Sequence, residues 1–159
     1  YPNIWRHGDW IRITSRDGVV IYGRSDSTLN RGGVRIGTSE IYRAVDSLEE
    51  IEDCLVIYLD HLEDDSMPLF VKVKPGIVLD DKLIKHIKTT IRAKTSPRHV
   101  PDAIYLAPDI PYTISGKKME TPVKKILQGE DPVKVIKKDA MRNPESLQFF
   151  IDLDGSTLN

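Results

Sequence analysis

The chain has 159 residues, of which 40% are hydrophobic and 30% charged, as expected for one ordinary globular domain, with an attached tail at most. Its 23 basic and 24 acidic residues give a formal charge of −1, which excludes a uniformly basic nucleic-acid binder. No apolar stretch approaches the roughly 18 to 20 residues of a membrane helix, and the single cysteine, Cys54, predicts a reducing compartment such as the cytoplasm. Because Tyr1 is not a start methionine and no signal-peptide pattern follows it, we expect a piece of a longer protein.

Charge is distributed unevenly along the chain. Residues 46–65 contain nine acidic residues and no Lys or Arg, whereas residues 82–99 contain six basic residues and no carboxylate. A second basic cluster lies within residues 117–125. Two interpretations are open: solvated helix faces that keep the domain soluble, or an anion site built from a few of these cations.

The first predicted element is a β-hairpin. Apolar residues alternate or cluster over residues 10–13 and 19–22, on either side of an Asp17-Gly18 turn. The next segment, residues 29–37, contains three glycines, which indicates a loop or a pair of short strands with tight backbone geometry.

From residue 38 onwards, the pattern predicts helix, strand, strand, helix, strand and helix in that order. The predicted elements are a helix capped by Thr38 or Ser39, strands over 54–59 and 69–74, a helix capped by Asp80 and ended by Pro97 and Pro101, a strand over 103–106, and a helix capped by Thr121 with Pro122 in its first position. Their short connections predict an α+β fold, a small three-stranded sheet with flanking helices. Beyond Gly129 the pattern weakens, although the apolar residues within 147–151 are expected to pack on something.

The loop that ends in Lys117 is the first candidate site. Residues 111–117 bring hydroxyls, a glycine and an ammonium together, a composition suited to holding a negatively charged oxygen. They do not form a phosphate-binding P-loop, because the required upstream glycine is missing. The alternative is an exposed turn lysine, and Lys118 is expected to share that exposure.

Asp9 and Arg24 are weaker candidates on the same reasoning. Arg24 either grips a phosphate or ribose or pairs with a neighbouring carboxylate, and Asp9 either recognises sugar hydroxyls or caps a turn. Four scattered histidines and one cysteine show no metal-ligand spacing, so no metal site is predicted in this chain.

Four motifs occur in a fixed order. They are His7-Gly8-Asp9, Tyr22-Gly23-Arg24-Ser25-Asp26, Gly33-Val34-Arg35-Ile36-Gly37-Thr38-Ser39-Glu40-Ile41 and Pro111-x-Thr113-x-Ser115-Gly116-Lys117. Together they resemble the C-terminal part of the adenylate-forming acyl-CoA synthetases, over essentially residues 1–129. Within that family, the residues of these motifs are most similar to those of the branch that activates acetoacetate, and residues 143–147 look like the C-terminal extension of that branch.

The resemblance implies a two-step ligase. A carboxylate attacks ATP to give an acyl-adenylate and pyrophosphate, and coenzyme A then displaces AMP as a thioester. It also implies three parts: residues 1–25 as the end of a large N-terminal domain with the hairpin, residues 26–129 as a mobile C-terminal domain, and residues 130–159 as an extension. The ATP-binding loop, the acyl pocket and most Mg²⁺ contacts of the family lie in the N-terminal domain, so this chain alone is expected to be inactive.

The family's residue roles carry over to matching positions. They are Lys117 on the carboxylate and α-phosphate oxygens during adenylation, Asp9 on the ribose hydroxyls, Arg24 on the ribose or a phosphate, Arg35 on a phosphate, Asp26 as the hinge, Gly32 and Gly33 along the pantetheine arm, and Arg92 on a coenzyme A phosphate. The chain departs from the family pattern at Arg31-Gly32 and at Glu120, which affects the coenzyme A contacts more than the reaction.

Two rival functions remain open at this stage. A phosphate- or nucleic-acid-binding module would use the basic residues 82–99, but aromatic residues do not interleave them and the acidic segment would repel a phosphate backbone. A protein-interaction domain would use the aromatic and apolar tail. Deleting residues 140–159 is then expected to abolish partner binding and leave the fold intact.

Overall fold

The structure is a computed structural model that describes residues 9–24, 29–31, 34–60 and 65–153. Its first two elements, β1 (Asp9–Ile13) and β2 (Val19–Arg24), form the predicted antiparallel hairpin. Asp17 in the connecting turn has a φ of 56°, a left-handed conformation that Asp tolerates better than most residues. The glycine-rich segment contains two short antiparallel strands, β3 (Leu29–Arg31) and β4 (Val34–Ile36), which is one of its two predicted forms.

A three-stranded sheet forms the centre of the domain. Its strand order is β5 (Ile51–Val56), β6 (Leu69–Val73) and β7 (Ile104–Leu106), with β5 antiparallel and β7 parallel to β6. The parallel pair requires a crossover, which the long helix α2 (Asp81–Lys94) provides. The remaining elements are α1 (Thr38–Val45), α3 (Glu120–Leu127), α4 (Pro132–Val135), α5 (Leu147–Asp152) and three single-turn 3₁₀ helices at Pro97–His99, Lys138–Ala140 and Pro144–Ser146. The predicted α+β fold is confirmed.

Both faces of the sheet are covered. Because successive strand residues point to opposite faces, Cys54 and Val56 of β5 pack with α1 and α2, whereas Leu55 packs with α3 and the C-terminal segment. Helix α2 buries Leu83, Ile87 and Ile91, the stripe that its periodicity predicts. The basic side chains of α2 lie on its more exposed face.

The C-terminal segment is part of the core. Phe150 is fully buried, and its ring meets that of Phe70 edge-on with centroids 5.0 Å apart. Phe149 packs edge-on against the same two rings. The expectation that this tail packs on the domain is confirmed for Leu147, Phe149 and Phe150, whereas Ile151 is 36% exposed. The expectation that deleting residues 140–159 leaves the fold intact is wrong, since the deletion would uncover Phe70.

Two predicted helix caps are wrong. The residue before α1 is Gly37, which makes no side-chain cap, so Thr38 and Ser39 both lie inside the first helical turn. Helix α3 begins at Glu120, which places Thr121 inside the helix and Pro122 in its third position. Proline is tolerated there because the first backbone N–H groups of a helix have no partner within the helix.

Other boundaries agree or shift slightly. The carboxylate of Asp80 caps α2 as predicted, accepting from the Leu83 N–H at 2.8 Å. Helix α2 ends at Lys94, ahead of the predicted stop at Pro97, which instead begins a 3₁₀ turn. Strand β5 begins at Ile51, three residues before the predicted start, and therefore includes Glu52 and Asp53 of the acidic run.

Candidate functional site

The candidate site is centred on a tight turn over residues 112–118, called here the lysine turn. Tyr112 and Lys118 pair as an antiparallel bridge, and the Thr113 N–H donates to the Lys117 carbonyl at 2.9 Å. Gly116 has a φ of 76°, which glycine adopts without steric cost. Lys117 follows it with an exposed side chain at the tip of the turn.

The hydroxyls of the turn stiffen it. Thr113 Oγ1 accepts from the Lys117 N–H at 3.0 Å and lies 3.0 Å from Ser115 Oγ. Sequence reasoning treated these hydroxyls as ligands for an anion. In the structure, the hydroxyl of Thr113 is hydrogen-bonded within the turn and fixes the backbone that carries Lys117.

Lys118 points the opposite way, into the domain. Its ammonium bonds to the carboxylate of Asp53 and to the carbonyl of Cys54, and lies 4.4 Å from the centre of the Tyr42 ring. The side chains of Lys118 and Asp53 are only 20% and 21% exposed. The expectation that Lys118 shares the exposure of Lys117 is therefore wrong.

Asp53 anchors the lysine turn to strand β5. Its second carboxylate oxygen accepts from the Tyr112 hydroxyl at 2.8 Å, so it binds both ends of the turn. Burial, together with this hydrogen bond, raises the pKa of Tyr112, so the phenol stays protonated and donates at neutral pH. Nothing in the sequence singles out Asp53, because it is one of nine acidic residues within 46–65, a run typical of solvated side chains.

The ammonium of Lys117 is available to a ligand. Among residues 9–24, 29–31, 34–60 and 65–153, none forms a hydrogen bond or ion pair with it. A rigid turn that presents an unpaired ammonium is suited to stabilising negative charge on an approaching anion. The same turn thus contains one lysine that stabilises the fold and one that faces solvent.

The predicted nucleotide-binding positions lie on the two strand pairs. The register of the hairpin places Asp9 opposite Arg24, and that of the second pair places Arg35 opposite Asn30. The structure describes the backbone at these positions and not their side chains. The predicted hinge, Asp26, and the two predicted pantetheine contacts, Gly32 and Gly33, lie outside the described residues.

Arg31 joins the glycine-rich strand pair to the segment that follows α2. Its guanidinium donates to the Val100 carbonyl at 2.7 Å and pairs with the Asp102 carboxylate, which also accepts from the Met67 N–H at 2.8 Å. Arg98 reciprocates by donating to the Arg31 carbonyl at 3.2 Å. The departure from the family pattern at Arg31 therefore creates a structural anchor.

Glu120, the other departure, also has a structural partner. Its carboxylate accepts from the Tyr42 hydroxyl at 2.6 Å, which links α1 to α3. Burial first, and then the charge and hydrogen bond of Glu120, raise the pKa of Tyr42 well above its ordinary value. The ring of the same Tyr42 lies 4.4 Å from the Lys118 ammonium, so this contact helps to support the lysine turn.

The C-terminal end of α2 presents cations beside an open groove. Arg92, the predicted coenzyme A contact, is exposed in the last turns of this helix. The groove between α1 and α2 has a volume of about 600 Å³ and is lined by Arg43 and Lys94, with a contact of 2.6 Å between His99 Nε2 and the Glu40 carboxylate in its wall. Sequence reasoning did not single out Arg43 or Lys94.

Other chemistry is limited in the part of the chain that the structure describes. Burial raises the pKa of the Cys54 thiol to about 12, so it is not a nucleophile at neutral pH. No group of three His, Cys, Asp or Glu side chains among those residues is placed to hold a metal ion. None of the helices there has both the length and the apolar character needed to cross a membrane.

Comparison with known proteins identifies the relatives of the chain. It is 46% identical over 154 residues to the acetoacetyl-coenzyme A synthetase of Rhizobium meliloti (strain 1021), covering 97% of this chain and 23% of that protein. It is 48% identical over 150 residues to the acetoacetyl-CoA synthetase of Caenorhabditis elegans, covering 92% of this chain and 21% of that protein. The resemblance to the adenylate-forming acyl-CoA synthetases is confirmed. The match is to their C-terminal part, and the chain spans less than a quarter of the length of these relatives.

Solved structures support the same placement. The acetoacetyl-CoA synthetase from Streptomyces lividans superposes with a TM-score of 0.86 at 48% identity, over 99% of this chain and 23% of that one. An ATP-bound RpMatB-BxBclM chimera superposes with a TM-score of 0.68 at 20% identity, over 77% of this chain and 24% of that one, which supports the fold alone. No protein-family model matches the chain. The fold matches that of the C-terminal domain of the adenylate-forming ligases.

Proposed function

We propose that this chain is the lysine-bearing part of an ATP-dependent acid–thiol ligase that converts acetoacetate to acetoacetyl-CoA through an acyl-adenylate, with release of pyrophosphate and AMP. One observation carries the proposal. In a chain with 46% identity to an acetoacetyl-CoA synthetase, Lys117 stands exposed on a turn that the side chains of Tyr112, Thr113 and Lys118 hold in place by hydrogen bonds.

Lys117 acts in the first half-reaction. A carboxylate oxygen of the acid attacks the α-phosphorus of ATP, and the bond to pyrophosphate breaks with its electron pair. Negative charge on the α-phosphate oxygens is concentrated in the transition state, and the Lys117 ammonium supplies up to three hydrogen-bond donors there. Because the turn is braced before substrate arrives, little reorganisation is needed at the moment of reaction.

The second half-reaction uses other residues. The coenzyme A sulfur attacks the acyl carbon and AMP leaves, while the domain has turned about Asp26 so that Lys117 is withdrawn. Gly32 and Gly33 then lie along the pantetheine arm, and Arg92 contacts a coenzyme A phosphate. The Arg31 anchor supports this proposal, because it ties the glycine-rich strands to the segment that follows α2 and makes the two parts move together.

The β1–β2 hairpin supports a large N-terminal domain as the partner. Its apolar side chains are open to solvent, with Ile13 68%, Ile21 65% and Val19 58% exposed. We propose that they pack on that domain, with residues 1–25 belonging to it, residues 26–129 forming the mobile domain and residues 130–159 its extension. Asp9, Arg24 and Arg35 would contact the nucleotide at this boundary.

The magnesium that accompanies ATP is assigned to the rest of the protein. Since the part of the chain that the structure describes has no group of carboxylates or histidines placed to hold a metal ion, no step here is assigned to it. We also expect no nucleic-acid or membrane partner and a cytoplasmic location for the enzyme.

The test uses the full-length protein with ATP, coenzyme A and a panel of short carboxylates that includes acetoacetate, acetate and butyrate. We expect acetoacetyl-CoA, AMP and pyrophosphate in equal amounts, identified by mass spectrometry and phosphate analysis. The 159-residue chain alone should form no acyl-adenylate, because the resemblance places the acyl pocket and the ATP-binding loop in the N-terminal domain. Absence of thioester with every acid would contradict the proposal.

A further inference from the structure

We propose that residues 140–143, called here the brace segment, position Lys117 for adenylation, with Asn143 as the positioning residue. The proposal rests on the function proposed above and adds a role for the C-terminal extension. The brace segment makes no contact with the ammonium of Lys117 in the described part of the chain; it acts through the backbone of the lysine turn.

The brace segment pairs with the first arm of the lysine turn like a short extra strand. The Ile114 N–H donates to the Ala140 carbonyl at 3.1 Å, and the Arg142 N–H donates to the Tyr112 carbonyl at 2.9 Å. Between these two bonds, Thr113 and Met141 form an antiparallel bridge. The brace segment therefore holds the first arm of the turn, and Asp53 holds the side chains of Tyr112 and Lys118 at its two ends.

The side-chain amide of Asn143 completes this attachment. Its Oδ1 accepts from the Tyr112 N–H at 2.9 Å, while its Nδ2 donates to the Ile110 carbonyl at 2.8 Å and to the Asp109 carboxylate. The side chain is half-buried, and both its oxygen and its nitrogen are used. A single amide thus joins the residues on both sides of Pro111, where the chain enters the lysine turn.

The brace segment is itself anchored to the sheet. Directly after it, Leu147 is 2% exposed and Phe150 is 0% exposed, both packed in the core that contains Phe70. The Ser146 hydroxyl donates to the Asn143 carbonyl at 2.6 Å, which fixes the connection between anchor and brace. The C-terminal segment therefore connects the lysine turn to the central sheet and fixes the position of Lys117 relative to that sheet.

This arrangement predicts a selective effect on catalysis. Misplacing a catalytic group by about 1 Å costs roughly 100-fold in rate, since transition-state contacts depend steeply on geometry. In the full-length enzyme, Asn143→Ala should slow acyl-adenylate formation by about 10- to 100-fold. Conversion of pre-made acyl-adenylate and coenzyme A to thioester should change by less than about threefold, because Lys117 is withdrawn in that step.

A compensating pair of substitutions separates positioning from general damage. Asn143→Asp places two carboxylates against each other at positions 109 and 143 and should slow adenylation at least as much as alanine. Adding Asp109→Asn restores a donor and acceptor across that contact, and the Tyr112 N–H keeps its acceptor. Adenylation by the double variant should recover at least tenfold over Asn143→Asp alone. Gln148→Ala, which removes an exposed amide on α5, outside the brace segment, is the matched control and should alter neither half-reaction.

The outcomes distinguish this proposal from the function on which it rests. Hydrogen exchange of the Tyr112 and Ile114 amides should quicken in Asn143→Ala, and Asn143→Ala should add little to the loss already caused by Lys117→Ala. Three results would overturn the proposal that Asn143 positions Lys117: equal slowing of both half-reactions by Asn143→Ala, unchanged adenylation in that variant, or a loss that is fully additive with that of Lys117→Ala. If the wild-type protein adenylates no carboxylate, the proposed function fails, and hydrogen exchange alone decides whether the brace segment holds the turn.

Discussion

Replacing Lys117 and Lys118 with alanine, one at a time, should separate catalysis from stability, because the two side chains leave one turn in opposite directions. Lys118→Ala removes the ammonium from the carboxylate of Asp53 and from the Cys54 carbonyl. With both side chains about one-fifth exposed, we expect a loss of about 2 kcal/mol, below the 3–5 kcal/mol typical of a fully buried pair. Lys117→Ala removes an exposed side chain and should change the free energy of unfolding by less than about 0.5 kcal/mol.

The kinetic expectation runs the other way. Lys117→Ala in the full-length enzyme should slow adenylation by roughly 100- to 1,000-fold, the usual effect of removing a preorganised transition-state donor. Acetylation of Lys117 should mimic alanine because it removes the positive charge. Lys134→Ala, at an exposed position on α4, is a better catalytic control than Lys118→Ala and should leave both half-reactions unchanged.

Three measurements check this prediction. Urea unfolding reports the stability of each variant, ATP–pyrophosphate exchange reports adenylation, and thioester formation from pre-made acyl-adenylate reports the second half-reaction. If Lys117→Ala slows thioester formation as much as adenylation, or if the Lys117 and Lys118 variants behave alike in all three assays, Lys117 is only a turn lysine.

Three other predictions concern the hinge, the core and pH. Asp26→Pro in the full-length enzyme should impair one half-reaction much more than the other, because proline locks φ near −65°; equal losses with an intact fold would count against a hinge there. Phe150→Ala should lower the free energy of unfolding by about 3 to 5 kcal/mol in urea titrations, since Phe150 is fully buried against Phe70, and a change below 1 kcal/mol would show that this packing is not needed. Burial acts to raise the pKa of Asp109, but hydrogen bonds from Lys72 and Asn143 outweigh it and hold that pKa below its ordinary value of 3.8. The resulting stabilisation is present above about pH 4 and lost as pH falls through the folded-state pKa, so Asp109→Asn should flatten the decline in unfolding free energy between pH 5 and pH 3; an unchanged slope would refute the assignment.

The elements that sequence could predict are those with a strong local signal. The stripe of Leu83, Ile87 and Ile91 and the capping carboxylate of Asp80 are contained in 12 consecutive positions, and they place α2 correctly. The start of β5 was misplaced because Asp53 interrupts its apolar pattern. Its carboxylate is accommodated in the strand by Lys118, a residue 65 positions away, and such a partner has no local signature.

The candidate site shows the same limit. The motif predicts an exposed lysine on a turn at position 117, but neither the inward direction of Lys118 nor the contacts of Asn143 could be predicted. Asn143-Pro144 has the composition of an ordinary turn, and its partners at Tyr112 and Ile110 lie 31 and 33 residues earlier. Arg31 was taken only as a departure from the family pattern, since its partner Asp102 lies 71 residues later.

The central claim is that this chain supplies the adenylation lysine of an acetoacetate-activating ligase. Carboxylate-dependent exchange of radiolabelled pyrophosphate into ATP, without coenzyme A, tests it most directly in the full-length protein and in its Lys117→Ala variant. The account predicts exchange with acetoacetate that exceeds exchange with acetate and falls at least roughly 100-fold in the variant. Exchange that is absent with every carboxylate, or equal in the two proteins, would contradict it.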